Sequence, residues 1–119
     1  MIAGAHVLVY AEDAEATRAF FRDVLGFDSV DAGGGWLIFA LPPAELGIHP
    51  ADAPSHELFL MCHDLHRTRG ELEAKGVEFT APVVDEDFGL VTRLRIPGGG
   101  ELALYQPKHP SPLAEFGAP

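Results

Sequence analysis

The chain has 119 residues, 47% of them apolar and 22% charged, which suits a soluble globular domain able to bury its own core and excludes a disordered chain. Eighteen acidic residues against 8 basic ones give a net charge of −10, which argues against nucleic acid and anionic membranes as partners, because both demand basic patches. One cysteine, Cys62, rules out an internal disulfide framework, and no apolar run reaches the ~18 residues of a membrane span. No signal-peptide pattern precedes the first strand-like stretch, so the cytoplasm is the expected location.

Residues 5–11 alternate as a strand, with His6, Leu8 and Tyr10 on one face and Val7, Val9 and Ala11 on the other. Asp13 is placed to cap a helix. Ala16, Phe20 and Val24, with Thr17 and Phe21, recur at helical spacing and give that helix one apolar face. Gly26 supplies a left-handed stop. Residues 28–31 read as a short strand, Gly33-Gly34-Gly35 as a turn, and 36–41 as an apolar strand. Residues 45–49 read as another, with Leu46 and Ile48 opposite Glu45, Gly47 and His49. The Pro-rich stretch 50–54 is linker-like. The pattern then restarts with a strand over 57–62, a helix capped by Asp64 and stopped by Gly76, and an extended segment over 77–84. A strand over 90–96, a tight turn over 97–100 and a last strand over 101–106 follow, and residues 108–119 are expected as a loose tail.

The order is β-α-β-β-β, twice. An offset of 51 residues relates His6 to Glu57, Asp13 to Asp64 and Arg18 to Arg69, and an offset of 56 relates residues 45–49 to 101–105. Matching caps, stops and element order point to one unit used twice, with a site between the copies.

The opening AHVLVYAED, the helix ending FFRDVLGF, the close FGLVTRLRIPGGGELALYQP and the repeat itself resemble the vicinal oxygen chelate superfamily. That superfamily contains glyoxalase, the extradiol dioxygenases and the bleomycin- and fosfomycin-resistance proteins. The resemblance spans about residues 4–107. It implies an α+β fold in a single domain: two βαβββ modules, approximately 4–50 and 55–107, whose mixed sheets curl into a cup with the helices outside. On that frame Val7, Val9, Leu46, Ile48, Leu58, Leu60, Leu102 and Leu104 face the helices. His6, Glu45, Gly47, His49, Glu57, Glu101, Ala103 and Tyr105 face the cup. The resemblance further implies a homodimer and a small organic molecule as partner.

Metal-using members hold one divalent ion through His or Glu on the first and last strand of each module. The resemblance carries that role onto His6 and Glu57, while the last-strand positions fall on Gly47 and Ala103, which have no ligating atom. Two ligands fall short of the three or more of an established catalytic site. A bulge or a shift of two residues would recruit His49, Glu45 or Glu101. The ion would be Zn, Mn, Fe or Ni, acting as a Lewis acid on adjacent oxygens. Without it, His6 and Glu57 would pair with each other, since an unpaired carboxylate in a mid-sheet strand is costly.

The pocket expected from these readings comprises His6, Tyr10, Trp36, His49, Glu57, Phe59, Met61, Arg93 and Tyr105. Arg93 and Arg95 either reach the cup and clamp an anionic substrate or line a solvated face. Trp36, Phe39, Phe59 and Met61 are core or pocket wall. Cys62 alternates onto the helix side as an apolar filler, His63 and His66 are expected exposed, and Glu45 and Glu101 follow turns and are expected solvated. The Gly98-Gly99-Gly100 run is a hairpin turn, because a phosphate loop needs a helix after it and a strand follows here. Two functions stay open. One is a metal-dependent lyase, isomerase or dioxygenase. The other is a metal-free module that sequesters a flat or apolar molecule against Trp36, Phe59 and Met61.

Overall fold

Both helices begin where the sequence places an aspartate. The computed structural model describes residues 6, 7, 9–45, 47, 50–53 and 55–116. The Asp13 carboxylate accepts from the Ala16 amide at 3.0 Å and opens α1, Ala14–Ala19. The Asp64 carboxylate accepts from the Arg67 amide at 3.1 Å and opens α2, Leu65–Ala74. Each satisfies an orphan donor of the first turn. α1 continues as a π-turn over Phe20–Val24. The neighbouring Phe20 and Phe21 are both buried in the core, and the wide turn accommodates two large adjacent side chains on one side of the helix. Gly26 and Gly76, at φ of 73° and 88°, end the two helical segments.

A hairpin of β1, Ser29–Asp31, and β2, Leu37–Phe39, follows α1. Its turn is built on the Asp31 carboxylate, which accepts from the amides of Gly33 at 2.7 Å and Gly35 at 3.2 Å. The second half forms a mixed sheet. Its strands are β3, Phe59–Met61; β4, Val84–Glu86; β5, Gly89–Ile96; and β6, Gly100–Pro107, in the order β3-β6-β5-β4. β3 runs parallel to β6 and the other pairs are antiparallel. Residues 78–80 run along the same sheet, with the Arg95 amide donating to the Glu78 carbonyl and the Thr80 amide to the Arg93 carbonyl, both at 2.9 Å.

The register assigns the faces. Phe59 and Arg93 both stand opposite Ala103, and Met61 and Val91 both stand opposite Tyr105, so these residues share one face. Leu94 opposite Leu102, and Leu60 and Thr92 opposite Leu104, share the other. The second face packs with Phe20, Phe21 and Leu65 into the core, and Leu58, Cys62, Leu72 and Leu90 lie against it. The fold is α+β with both helices contributing to one side of the sheet, as the alternation of residues predicts. Among the described residues no helix is long and apolar enough to cross a membrane.

The N-terminal half departs from expectation. Residues 6, 7 and 9–11 are not in a strand, nor are Glu45 and Gly47. Val7 and Val9, expected beneath the helices, are 48% and 39% exposed. A strand is held by its neighbour's backbone, and none of these residues has a ladder partner among the described residues. Alternation alone therefore does not make them a sheet. Leu8, Leu46, Ile48 and His49 lie outside the described residues. The segment expected as a loose tail is also different. Up to Phe116 it is docked by side-chain hydrogen bonds and ends in a 3-10 turn, Ala114–Phe116.

The β5–β6 turn anchors α1. The Glu12 amide donates to the Gly98 carbonyl at 2.6 Å, and the Thr17 hydroxyl donates to the Pro97 carbonyl at 2.6 Å. Gly98 has φ of 70°, and a Cβ there would lie 2.6 Å from the Asp13 Cβ and 2.8 Å from its amide nitrogen. Gly98→Ala is expected to destabilise the fold by about 2–4 kcal/mol, combining left-handed strain with overpacking. Gly34→Ala, whose Cβ would meet nothing within 4 Å, should cost only about 1–2 kcal/mol from strain alone. Urea unfolding midpoints of the two variants check the order.

Candidate functional site

The described strands form two separate open sheets rather than one curled cup; the face of the larger sheet turned away from the core, expected as the inside of the cup, carries a ring cluster and a cation. The Phe59 and Tyr105 rings meet edge to face at 5.6 Å and 88°, Phe88 meets Tyr105 at 5.8 Å, and Phe59 meets Phe88 at 6.4 Å. The register explains the grouping: β3 and β6 bring Phe59 and Tyr105 to one face, and the β4–β5 turn carries Phe88 over them. Beside the rings lies a pocket of about 280 Å³, walled by Phe59, Pro82, Val84, Phe88 and Val91, with Arg93 and Glu86 as its charged groups. Arg93 is half-buried, and Glu86 is exposed.

Behind the rings lies a polar knot that joins the two halves. The Tyr105 hydroxyl donates to Glu45 Oε1 at 2.9 Å, and the Ser111 hydroxyl donates to Glu45 Oε2 at 2.6 Å. His109 Nε2 stands 3.0 Å from the Tyr105 oxygen and 3.3 Å from Glu45 Oε1, and His109 Nδ1 is 2.7 Å from the Pro110 carbonyl. Tyr105 has one hydroxyl proton, and it goes to Glu45. The Glu45 side chain is only 16% exposed and Ser111 is 2% exposed. The Ser111 hydroxyl, more than Tyr105 and the His109 ring, holds the Glu45 carboxyl below the ordinary carboxylate range, against the opposing effect of burial. Burial, helped by the neighbouring Glu45 carboxylate, pushes the Tyr105 phenol up to about 12, so it acts as a hydrogen-bond donor at neutral pH.

Of the residues expected in the pocket, Phe59 and Arg93 line it, and Met61 and Tyr105 share its face. His6 and Glu57 are exposed, and no hydrogen bond or ion pair joins them among the described residues. Tyr10 is 86% exposed, and Trp36, 64% exposed, lies under the Arg18 guanidinium at 4.6 Å. His49 lies outside the described residues. Arg95 takes the solvated alternative and pairs with Glu78 at 3.0 Å. Cys62 lies against the core as expected, its thiol pushed up by burial. His63 and His66 are exposed, although the His63 ring stacks on Phe116 at 4.6 Å. Glu101 is exposed as expected, whereas Glu45, also expected to be solvated, is the acceptor at the centre of the knot.

Sequence reasoning missed Phe88, Val91, His109 and Ser111. Val91 was within reach, since it alternates with Arg93 on one face of β5. His109 and Ser111 sit in a stretch with no periodicity, where no local signal marks burial.

Among the described residues the donor set falls short of what a resident metal ion needs. Gly47 and the buried Ala103 have no ligating atom, and among the described residues no group of three or more His, Cys, Asp or Glu is arranged to hold one.

The sequence model described as "Glyoxalase/Bleomycin resistance protein/Dioxygenase superfamily" matches residues 4–103. Among solved structures, an antibiotic binding protein from Streptomyces sp. CB03234, TnmS3, superposes with a TM-score of 0.63 at 24% identity, covering 91% of this chain and 100% of that one. A lactoylglutathione lyase from Agrobacterium tumefaciens gives 0.63 at 18% identity, covering 87% and 92%. A superfamily member from Sphaerobacter thermophilus DSM 20745 gives 0.62 at 23% identity, covering 88% and 98%. Among curated proteins none matches the chain. At these identities the structural likeness establishes the fold.

The knot predicts an acid-side loss of stability. A carboxyl depressed in the folded chain contributes stability that is present above its ordinary value near 4.5 and is lost as pH falls through the depressed folded value. Glu45→Gln is expected to flatten that part of the pH profile of unfolding free energy. Ser111→Ala should cost about 1–3 kcal/mol at neutral pH, because it leaves a partly buried carboxylate oxygen short of a donor. Urea unfolding across the acid range separates the two effects.

Proposed function

Because the chain belongs to the Glyoxalase/Bleomycin resistance protein/Dioxygenase superfamily, we propose that its cup binds a small organic molecule and works as a metal-free, ligand-sequestering module. The observation that carries this reading is the make-up of the cup. Phe59, Phe88 and Tyr105 converge there with Arg93, while Gly47 and Ala103 stand where ligating residues would be needed. Rings and one cation hold a molecule in place by packing and charge, whereas a Lewis-acid mechanism needs three or more donors first. The antibiotic-binding neighbour supports the same reading.

A second reading rests on the retained His6 and Glu57, which occupy equivalent places in the two copies. In it the chain is a lyase, isomerase or dioxygenase using Zn, Mn, Fe or Ni, with His49 or Glu101 recruited as a third ligand. The superfamily's lactoylglutathione lyase supports that alternative.

We further propose a homodimer, working in the cytoplasm. The N-terminal hairpin turns Val30, 68% exposed, and its cross-strand partner Ile38, 40% exposed, to one open face, and Leu41 and Val9 add to the apolar surface of that half. A second copy would cover this surface, and a two-fold arrangement is the commonest closed assembly.

Titration calorimetry with naphthalene-2-carboxamide tests the binding reading. Binding is expected to survive a chelator and His6→Ala, and to weaken about tenfold in Phe59→Ala. Loss of binding with chelator, restored by one divalent ion and abolished in His6→Ala, would instead establish the enzyme reading. For the dimer, sedimentation equilibrium should give twice the chain mass, falling to the monomer in Ile38→Glu.

A further inference from the structure

The chain has eight basic residues. Arg22, Arg67, Arg69, Arg95 and Lys108 pair with Asp23, Glu71, Glu73, Glu78 and Asp85. Arg18 lies over Trp36, and Lys75 donates to the Val24 carbonyl. Arg93 alone has no hydrogen-bond, ion-pair or ring partner among the described residues. This happens in a chain with 18 carboxylates to choose from. Its place is also unlike the others. It is half-buried in the middle of β5, it faces the cup, and its cross-strand neighbour is Ala103, which offers no group to meet it. A guanidinium held partly out of water without an anion is unfavourable, and the pocket in front of it leaves room for one.

We propose that this pocket takes a small monoanionic aromatic molecule, an aryl carboxylate of one or two rings, with its carboxylate on Arg93 and its ring against Phe59 and Phe88. The inference rests on the reading of the cup as a small-molecule site and names the ligand class. The planar, two-pronged guanidinium matches a carboxylate, and Phe59 and Phe88 supply ring contacts beside it. The size follows from the volume. About 280 Å³ falls just below the ~300–1,000 Å³ common for drug-sized ligands, which leaves room for one or two rings. The single negative charge follows from the surroundings. Glu86 lines the same pocket, Asp87 is close by in sequence, and the chain as a whole carries −10, so further anionic groups on the ligand meet repulsion.

Calorimetric titration with naphthalene-2-carboxylate and with its neutral counterpart naphthalene-2-carboxamide tests the proposal, on the full chain and on Arg93→Met. The carboxylate is expected to bind about 10- to 100-fold more tightly than the amide, as a charge-assisted contact predicts. Arg93→Met is expected to abolish that preference, bringing carboxylate affinity down to that of the amide in the same variant, with the urea midpoint showing that the fold is kept. Arg93→Gln serves the same purpose should the methionine variant fail to fold. Equal affinity for the two probes in the unaltered chain, or a preference retained in either Arg93 variant, overturns the anion assignment and leaves the cup as a neutral-ligand site. No binding of either probe at millimolar concentration overturns both the anion assignment and the reading of the cup on which it rests.

Discussion

The register of β5 on β6 is the constraint on which the core and the cup both depend. Side chains along a strand alternate between faces, so a slip of β5 by one residue would exchange Leu94 and Ile96 for Arg93 and Arg95. That slip would turn two guanidinium groups toward the helices and two core side chains toward water. The tight turn at residues 97–100 prevents it. Gly98 adopts a left-handed conformation there, and its carbonyl accepts from the Glu12 amide. The turn therefore sets the hairpin register and seats α1 at the same point. The fold's first helix and its longest strand pair are positioned by one short loop.

The polar knot is a second join, between distant parts of the chain. Glu45 follows the N-terminal hairpin, Tyr105 belongs to β6, and Ser111 and His109 come from the segment after it. A carboxylate in that place is costly unless it is fully met by donors, and the knot meets it from three directions. The Tyr105 side chain serves two purposes. Its ring forms part of the cup wall, and its hydroxyl helps hold the C-terminal segment and Glu45 together behind that wall. A change at the knot would therefore reach the pocket through the ring.

Burial is unequal between the two halves. The C-terminal half contributes most of the core, from Leu65 through Leu104, and it also carries the pocket. The N-terminal half buries Phe20 and Phe21 through α1 but leaves Val30, Trp36 and Ile38 open. The two halves thus differ in packing, although their caps and stops are alike. Six strand-like stretches gain ladder partners, and two do not among the described residues.

The sequence by itself determined the local structure: Asp13 and Asp64 as caps, Gly26 and Gly76 as stops, the glycine turns, and the sorting of Leu58, Leu60, Leu102 and Leu104 from Ala103 and Tyr105. These are short-range effects of backbone geometry and alternation, and they can be read from a few neighbouring residues. The family was legible for the same reason, because its marks are a helix ending, a turn and a repeat. Tertiary structure alone decided which strands found partners, that Arg93 faces the pocket while Arg95 pairs with Glu78, and that Glu45 is half-buried and met by donors. It also decided that Ser111 and His109, in a stretch with no periodicity, close the back of the site. Arg95 meets Glu78 17 residues away and Ser111 meets Glu45 66 residues away, and spacing along the chain does not encode which distant group will satisfy a charge.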